Sequence, residues 1–147
     1  MAPQKKKVMD ESVVLKIELP KIPDIELVAL EGLDWLARHL GIAEDKIGEA
    51  RILVTEAIIN AFEHAMSGPD ARVNVEFTIT TKELVIFVRD YGKGFQPSAV
   101  EDPAIAKKIK SNDKRGWGLK LMKSMSDDFR IDSDQTGTRI TIKKLLN

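Results

Sequence analysis

One helical stretch, Glu56-Ala-Ile-Ile-Asn60-Ala-Phe-Glu-His64, decides how this chain is interpreted. Its polar residues Glu56, Asn60 and His64 recur every fourth position, so on a helix they form a stripe that drifts by only about 80°. Apolar residues at other positions of the same run predict a buried side, and the polar stripe is expected opposite it. The stripe is therefore either a solvated helix face or one wall of a polar site.

Two features favour a site. Asparagine is a poor residue in the middle of a helix because its amide competes for backbone groups. The apolar neighbours of Asn60 also leave little surface for solvent. A carboxamide oxygen suits a hard cation such as Mg²⁺, which takes most of its ligands from phosphates and water. A glutamate one turn earlier, at Glu56, could accept a proton from an attacking hydroxyl.

Two later segments place glycines beside charged residues. Asp90-Tyr-Gly92-Lys-Gly94-Phe95 follows a predicted strand, where the Asp90 carboxylate could accept a hydrogen bond from an adenine amine. Arg115-Gly116-Trp117-Gly118-Leu119 opens a predicted helix, whose free N–H groups and arginine suit phosphate. Taken alone, each segment is better explained as an ordinary turn or helix start.

Composition bounds the remaining possibilities. The chain has 147 residues, 43% of them hydrophobic, which fits one domain with one core. It has 23 basic and 23 acidic residues, which gives no reason to expect nucleic acid or an anionic membrane as partner. The absence of cysteine excludes disulfides and thiolate chemistry. With no signal peptide and no apolar run of about 18 residues, a soluble cytoplasmic protein is expected.

The hydrophobic pattern predicts a flexible segment at residues 1–11 and a single domain at residues 12–147. Asp24 is predicted to cap the first helix at its start, and Gly41 to cap its end. The long connection at about 96–114 is predicted to be a functional lid. The predicted strands cover 13–19, 73–79, 84–88, 129–133 and 138–145, and the predicted helices cover 24–40, 44–66 and 117–126.

This order of elements predicts an α+β fold. We expect a two-layer sandwich in which about three helices cover one face of a mostly antiparallel or mixed sheet. The strands at 73–79 and 84–88 are expected to form a hairpin. The continuous apolar run Leu84-Val-Ile-Phe-Val88 predicts a strand that is covered on both faces or nearly so.

Taken together, the motifs Glu-x-x-x-Asn-Ala-x-x-His, Asp-x-Gly-x-Gly-Phe and Arg-Gly-x-Gly-Leu resemble the nucleotide-binding boxes of the gyrase, Hsp90, histidine-kinase and MutL ATPase superfamily. The chain looks most like the bacterial anti-sigma factor serine/threonine kinases of that superfamily, over residues 12–144. The resemblance implies a Bergerat-type ATP-binding fold, and ATP and Mg²⁺ as cofactors. No position in the three boxes departs from the family pattern.

The resemblance also implies a role for each matching residue. Glu56 would be the general base, with Arg115 near the γ-phosphate, and Asn60 would be the Mg²⁺ ligand. Asp90 would bind the adenine amine, with Thr138 assisting. His64 would make either a structural hydrogen bond or a ligand contact. The implied nucleotide-binding residues are Asn60, His64, Asp90, Gly92, Gly94, Gly116, Trp117, Gly118, Leu119 and Thr138.

The function implied by the resemblance is that of an anti-sigma factor. Such a protein would phosphorylate a serine or threonine on a STAS-type anti-anti-sigma antagonist and sequester a sigma factor, as a homodimer. The alternative is a regulatory module that binds ATP and a partner without phosphoryl transfer. A histidine-kinase fragment is less expected because His39 and His64 are the only histidines. A gyrase-like ATPase would need a large additional domain.

Overall fold

The structure, a computed structural model, describes residues 12–65, 70–92 and 115–147. The predicted segment 1–11, the predicted lid at 96–114 and Gly94 lie outside the described residues, as do the side chain of Arg115 and the surroundings of Gly116. In chain order the elements are β1 Val13–Pro20, α1 Glu26–His39, α2 Glu44–His64, β2 Arg72–Ile79, β3 Glu83–Asp90, α3 Arg115–Met125, β4 Asp128–Asp134 and β5 Gly137–Leu145.

The strands form one five-stranded sheet in the order β1-β2-β3-β5-β4. Every neighbouring pair is antiparallel, and the β2–β3 hairpin aligns Val75 with Val88. The β3–β5 pairing then aligns Val88 with Ile140, so that these side chains continue one buried row across the sheet. The predicted α+β fold with an antiparallel sheet is confirmed.

The helices of the described part pack on one face of this sheet. Helix α2 lies at the centre of the layer, in contact with α1 and α3 and with strands β2, β3 and β5. The core lies between α2 and the inward-facing residues of the strands, which alternate with residues on the open face. The largest fully buried side chains are those of Phe77, Leu19, Leu33, Ile47, Leu53, Ile58, Ile79, Leu84, Ile86, Met122, Ile140 and Ile142.

Strand β3 differs from its prediction. Leu84, Ile86 and Val88 are buried, but Val85 and Phe87 are only partly buried. They point to the open face of the sheet, which none of the described helices covers. The expectation of a strand covered on both faces was wrong, since this apolar run belongs to an antiparallel sheet with one half-exposed side.

The ends of α1 also differ in part. Gly41 has a φ of 74° and ends the helix in a Schellman motif. The Gly41 N–H donates to the Arg38 carbonyl at 3.1 Å, and the Ile42 N–H donates to the Ala37 carbonyl at 2.9 Å. Asp24, however, is not the N-cap. It has a φ of 63° and precedes Ile25, which occupies the cap position without a side-chain hydrogen bond.

Helix α3 is tied to the rest of the fold at its C-terminal end. Lys144 on β5 points inward, and its Nζ donates to the Met125 carbonyl at 3.0 Å. The same Nζ lies 2.6 Å from Glu49 Oε2 on α2. One cation thus joins β5, α2 and the last turn of α3, where a positive charge also interacts favourably with the helix dipole. Among the described residues, no helix is long and apolar enough to cross a membrane.

Candidate functional site

The polar stripe of α2 lies along the border of the buried face. Asn60 is only 4% exposed, whereas Glu56 and His64 are partly buried. Since the helix packs against two other helices as well as the sheet, Leu53 and Ala57 are buried along with the predicted apolar side, and the buried face is wider than the apolar pattern predicted. A solvated face is therefore the wrong interpretation of Asn60.

The side-chain amide of Asn60 is buried and forms no hydrogen bond with the described residues. Both Oδ1 and Nδ2 are inaccessible to solvent, and neither has a hydrogen-bond partner among the described residues. An unsatisfied buried polar group costs about 1–3 kcal/mol, and such groups are rare in folded proteins. This amide therefore has hydrogen-bonding capacity that the described residues leave unused.

The first turn of α3 lies against Glu56. A Cβ atom placed on Gly118 would be 2.9 Å from Glu56 Oε2. Only a glycine leaves room for the carboxylate at this distance. The third motif is therefore in contact with the beginning of the first.

The second motif contacts the other end of the stripe. A Cβ atom on Gly92 would lie 1.6 Å from the backbone oxygen of His64, a separation that no side chain could adopt. The chain leaving β3 therefore passes directly over the last turn of α2. This contact requires glycine at position 92, whatever else the residue does.

Asp90 ends β3 and is 1% exposed. Its Oδ1 accepts hydrogen bonds from the Gly92 N–H at 2.9 Å and from the Thr138 N–H at 3.2 Å. Burial raises the pKa of this carboxyl group above its ordinary value, although the two N–H donors and the nearby charges of His64 and Arg89 act in the opposite direction. The carboxylate is thus fixed in orientation at an apolar position.

The turn between β4 and β5 completes this end of the site. Gly137 has a φ of 133°, and a Cβ atom there would lie 2.0 Å from the Asp90 backbone oxygen. Thr138 is 1% exposed, and its Oγ1 lies 2.9 Å from Ser133 Oγ. The sequence predicted Gly137 only as the turn before the last strand and gave no role to Ser133; for Ser133 the available signal was its inward position in a period-two pattern.

The stripe on α2 is therefore the line along which the three motifs meet. Gly118 lies at Glu56, Gly92 lies at His64, and the unpaired amide of Asn60 is between them. Residues 56 and 64 are separated by about 12 Å along the helix axis.

Two of the predicted nucleotide-binding residues, Trp117 and Leu119, lie outside the contacts that join the three motifs. Trp117 is 50% exposed, and the Lys120 Nζ lies 5.8 Å from the centre of its ring. Leu119 is partly buried and packs against the core. Their assignment as nucleotide contacts stays a prediction.

In the described part of the chain, no group of three or more His, Cys, Asp or Glu side chains converges as a metal-binding cluster. A magnesium ion at this site would rely on the Asn60 oxygen, together with phosphate and water oxygens. That donor set matches the preference of Mg²⁺ for few protein ligands. The unpaired amide therefore fits the predicted ion.

Comparison with known proteins agrees with this geometry. Residues 24–144 match the family model of the histidine kinase-like ATPase domain. The chain belongs to this family. Among its curated relatives are a serine-protein kinase RsbW of Oceanobacillus iheyensis, 27% identical over 90% of this chain and 86% of the relative, and an anti-sigma F factor of Clostridium kluyveri, 25% identical over 90% and 94%.

Solved structures of this histidine kinase-like ATPase fold are also similar. The RsbU and RsbW domains of a Mycobacterium tuberculosis protein match with a TM-score of 0.65 and 17% identity, over 90% of this chain and 32% of that one. The SiaB–SiaC complex of Pseudomonas aeruginosa contains a match with a TM-score of 0.61 and 11% identity, over 98% and 96% of the two chains. At these identities the likeness concerns the fold alone.

Proposed function

We propose that this chain is an ATP-dependent serine/threonine kinase that acts as an anti-sigma factor. It would phosphorylate a STAS-type anti-anti-sigma protein and sequester a sigma factor. The relatives named serine-protein kinase RsbW and anti-sigma F factor support this assignment. The observation that carries it is the buried, unpaired amide of Asn60 between the Glu56–Gly118 and His64–Gly92 contacts.

Each described residue would have a separate task. Asp90, fixed by the Gly92 and Thr138 N–H groups, would accept a hydrogen bond from the adenine amine. Asn60 would hold Mg²⁺ through its Oδ1. When bound, Mg²⁺ neutralises charge on the phosphates. Arg115, at the start of α3, would supply a further positive charge near the γ-phosphate.

Glu56 would act as the base. In the transfer step the acceptor oxygen bonds to the γ-phosphorus, and the bond from that phosphorus to the bridging oxygen of ADP breaks. ADP leaves with the electron pair, and the hydroxyl proton passes to the Glu56 carboxylate. The contact between this carboxylate and Gly118 supports the assignment, because it brings the base beside the helix start that would face phosphate.

Nucleotide binding is tested with two asparagine variants. Asn60→Ala should abolish Mg²⁺-dependent binding of a non-hydrolysable ATP analogue in calorimetry. Asn74→Ala is the matched control, because Asn74 lies on the open face of the sheet and donates to Tyr91 Oη at 2.8 Å. Equal affinity in the Asn60 variant and the wild type would remove the assignment.

Phosphoryl transfer is tested separately from binding. With labelled ATP and a STAS-type protein as acceptor, Glu56→Gln should keep nucleotide affinity and lose transfer. Failure of the wild-type chain to label the acceptor, despite normal nucleotide binding, would instead indicate the non-catalytic binding module.

A further inference from the structure

The proposed base lies between two exposed apolar ridges. On α2, Ile52 and Ile59 are 44% and 42% exposed. They are four residues before and three residues after Glu56, so they lie beside it on the helix surface. On α3, Trp117 and Leu121 are 50% and 38% exposed.

The second ridge borders the same carboxylate. Trp117 and Leu121 are one residue before and three residues after Gly118, the residue that contacts Glu56. Gly118 and Met122 are buried toward α2 and the sheet, so Trp117 and Leu121 occupy the outer side of that contact. We call the surface formed by Ile52, Ile59, Trp117 and Leu121 around Glu56 the acceptor trough.

Large exposed apolar side chains that cluster around a reactive group mark a binding surface more often than a plain solvent face. Tryptophan is also enriched among the residues that dominate binding energy at protein interfaces. Helix α3 has no acidic residue in its sequence, and the Nζ of Lys120 lies 5.8 Å from the centre of the Trp117 ring, at the edge of the trough. The α3 side of the trough is therefore complementary to an acidic group.

We propose that the acceptor trough binds the segment of the partner protein that carries the phosphorylated serine or threonine. This inference rests on the proposed kinase function. The acceptor segment has apolar residues on both sides of its hydroxyl residue, one for each ridge, and an acidic residue facing α3. A second copy of this chain is a poorer occupant, since covering the trough would block access of a hydroxyl to Glu56.

Acceptor preference gives the first test. A peptide mixture with a fixed central serine and varied flanking positions is incubated with the full chain, Mg²⁺ and labelled ATP. Leucine, isoleucine, valine or phenylalanine should be selected on both sides of the serine, and aspartate or glutamate at a position facing α3. Selection of lysine or arginine, or transfer without any flanking preference, would overturn the inference.

Variants of the trough give the second test. Ile59→Asp and Leu121→Asp should each raise the KM for the selected peptide about tenfold, with unchanged affinity for the ATP analogue. The matched control is Val14→Asp, which alters a side chain of similar exposure, 49%, on the open face of the sheet. An unchanged KM in both trough variants would contradict the proposal.

The two tests also separate the inference from the function beneath it. If the wild-type chain binds no nucleotide, or labels neither a STAS-type protein nor any peptide, the proposed function fails and the inference with it. If it labels the STAS-type protein but no peptide, only the inference fails. If labelling is normal but insensitive to the trough variants, only the inference fails. If light scattering shows that these variants dissociate a wild-type dimer without affecting the KM, the trough is a self-association surface and the inference is wrong.

Discussion

At the scale of single residues, the amide of Asn60 is expected to lower stability in exchange for the ligand binding that we propose for it. Its amide is desolvated on folding and gains no hydrogen bond from the described residues. Leucine has nearly the same shape and no polar atoms to desolvate. Replacing an unsatisfied polar group by an apolar one of similar shape is neutral or stabilising.

We therefore predict that Asn60→Leu raises the free energy of unfolding of the nucleotide-free protein by about 1 kcal/mol. The same variant should lose binding of the ATP analogue. Urea denaturation and calorimetry measure the two effects. Asn74→Leu on the open sheet face is the comparison: its Oδ1 is likewise buried and unpaired among the described residues, but the substitution also removes the hydrogen bond from Nδ2 to Tyr91 Oη. Clear destabilisation of the Asn60 variant would mean that the amide has a structural partner.

Asp90 gives a prediction with a defined sign. Burial raises the pKa of its carboxyl group in the folded state, so the folded protein binds the proton more tightly than the unfolded chain. The contribution of Asp90 to stability is therefore full below the ordinary pKa of about 3.9 and is lost as pH rises through the folded pKa. Asp90→Asn keeps an oxygen that can accept from both N–H donors. Because an amide does not ionise, this variant should not lose stability as pH rises through the pKa of Asp90.

We accordingly expect the unfolding free energy of Asp90→Asn, relative to wild type, to increase from about pH 4 upward in denaturation curves. For Asp134→Asn we expect the opposite pH dependence: its unfolding free energy, relative to wild type, should decrease as pH rises. The Thr136 hydroxyl, followed by Arg139, lowers the pKa of the Asp134 carboxyl, so its contribution is lost as pH falls. A relative stability of Asp90→Asn that does not vary with pH would exclude a raised pKa.

At the scale of elements, Gly118 on α3 leaves room for the carboxylate of Glu56 on α2. Gly118→Ala should improve helix propensity but force the Glu56 carboxylate to move, since the new Cβ would lie 2.9 Å from Oε2. Gly48→Ala is the matched control within α2, where no atom lies within 4 Å of the new Cβ.

Gly48→Ala should therefore stabilise the protein by about 0.5–1 kcal/mol and leave phosphoryl transfer unchanged. Gly118→Ala should reduce transfer at least tenfold with a smaller gain in stability or none. Thermal unfolding and labelled-phosphate transfer are the two measurements. Equal activity of both variants would show that the Glu56–Gly118 contact does not position the base.

The elements were predictable from sequence to different degrees. Periodicity placed the strands and helices of the described part, because buried positions repeat every two residues on strands and three to four on helices. The preference of aspartate for helix N-caps gave a wrong prediction for Asp24, which has a positive φ and is not the cap residue. The apolar pattern also overestimated the burial of Val85 and Phe87, because apolar content alone does not reveal how many faces of a sheet are covered.

For the site, the sequence indicated which residues matter but not how they meet. Asn60 was recognised because an amide is unusual in the middle of a helix. The contacts of Gly92 with His64 and of Gly137 with Asp90 join segments that are distant in the chain. No local pattern encodes such backbone contacts, since they depend on how three elements pack.

At the scale of the whole molecule, the three motifs lie on separate elements that converge on α2, so a bound nucleotide should stabilise the entire fold. An ATP analogue with Mg²⁺ at 100 times its Kd should add about 2.7 kcal/mol to the free energy of unfolding. A chelator should remove most of that gain, as should Asn60→Ala. A Tm that does not depend on nucleotide concentration would contradict a shared site.

The contact between the β4–β5 turn and Asp90 has a consequence for how base selectivity can change. Gly137 touches the main chain of a residue 47 positions earlier, and Thr138 donates to the side chain of that same residue. Substitutions at Gly137 would tilt the Asp90 carboxylate, which we propose binds the adenine amine, without touching the purine. Laboratory evolution toward guanine nucleotides should therefore accumulate changes in the hairpin as often as beside the ligand itself.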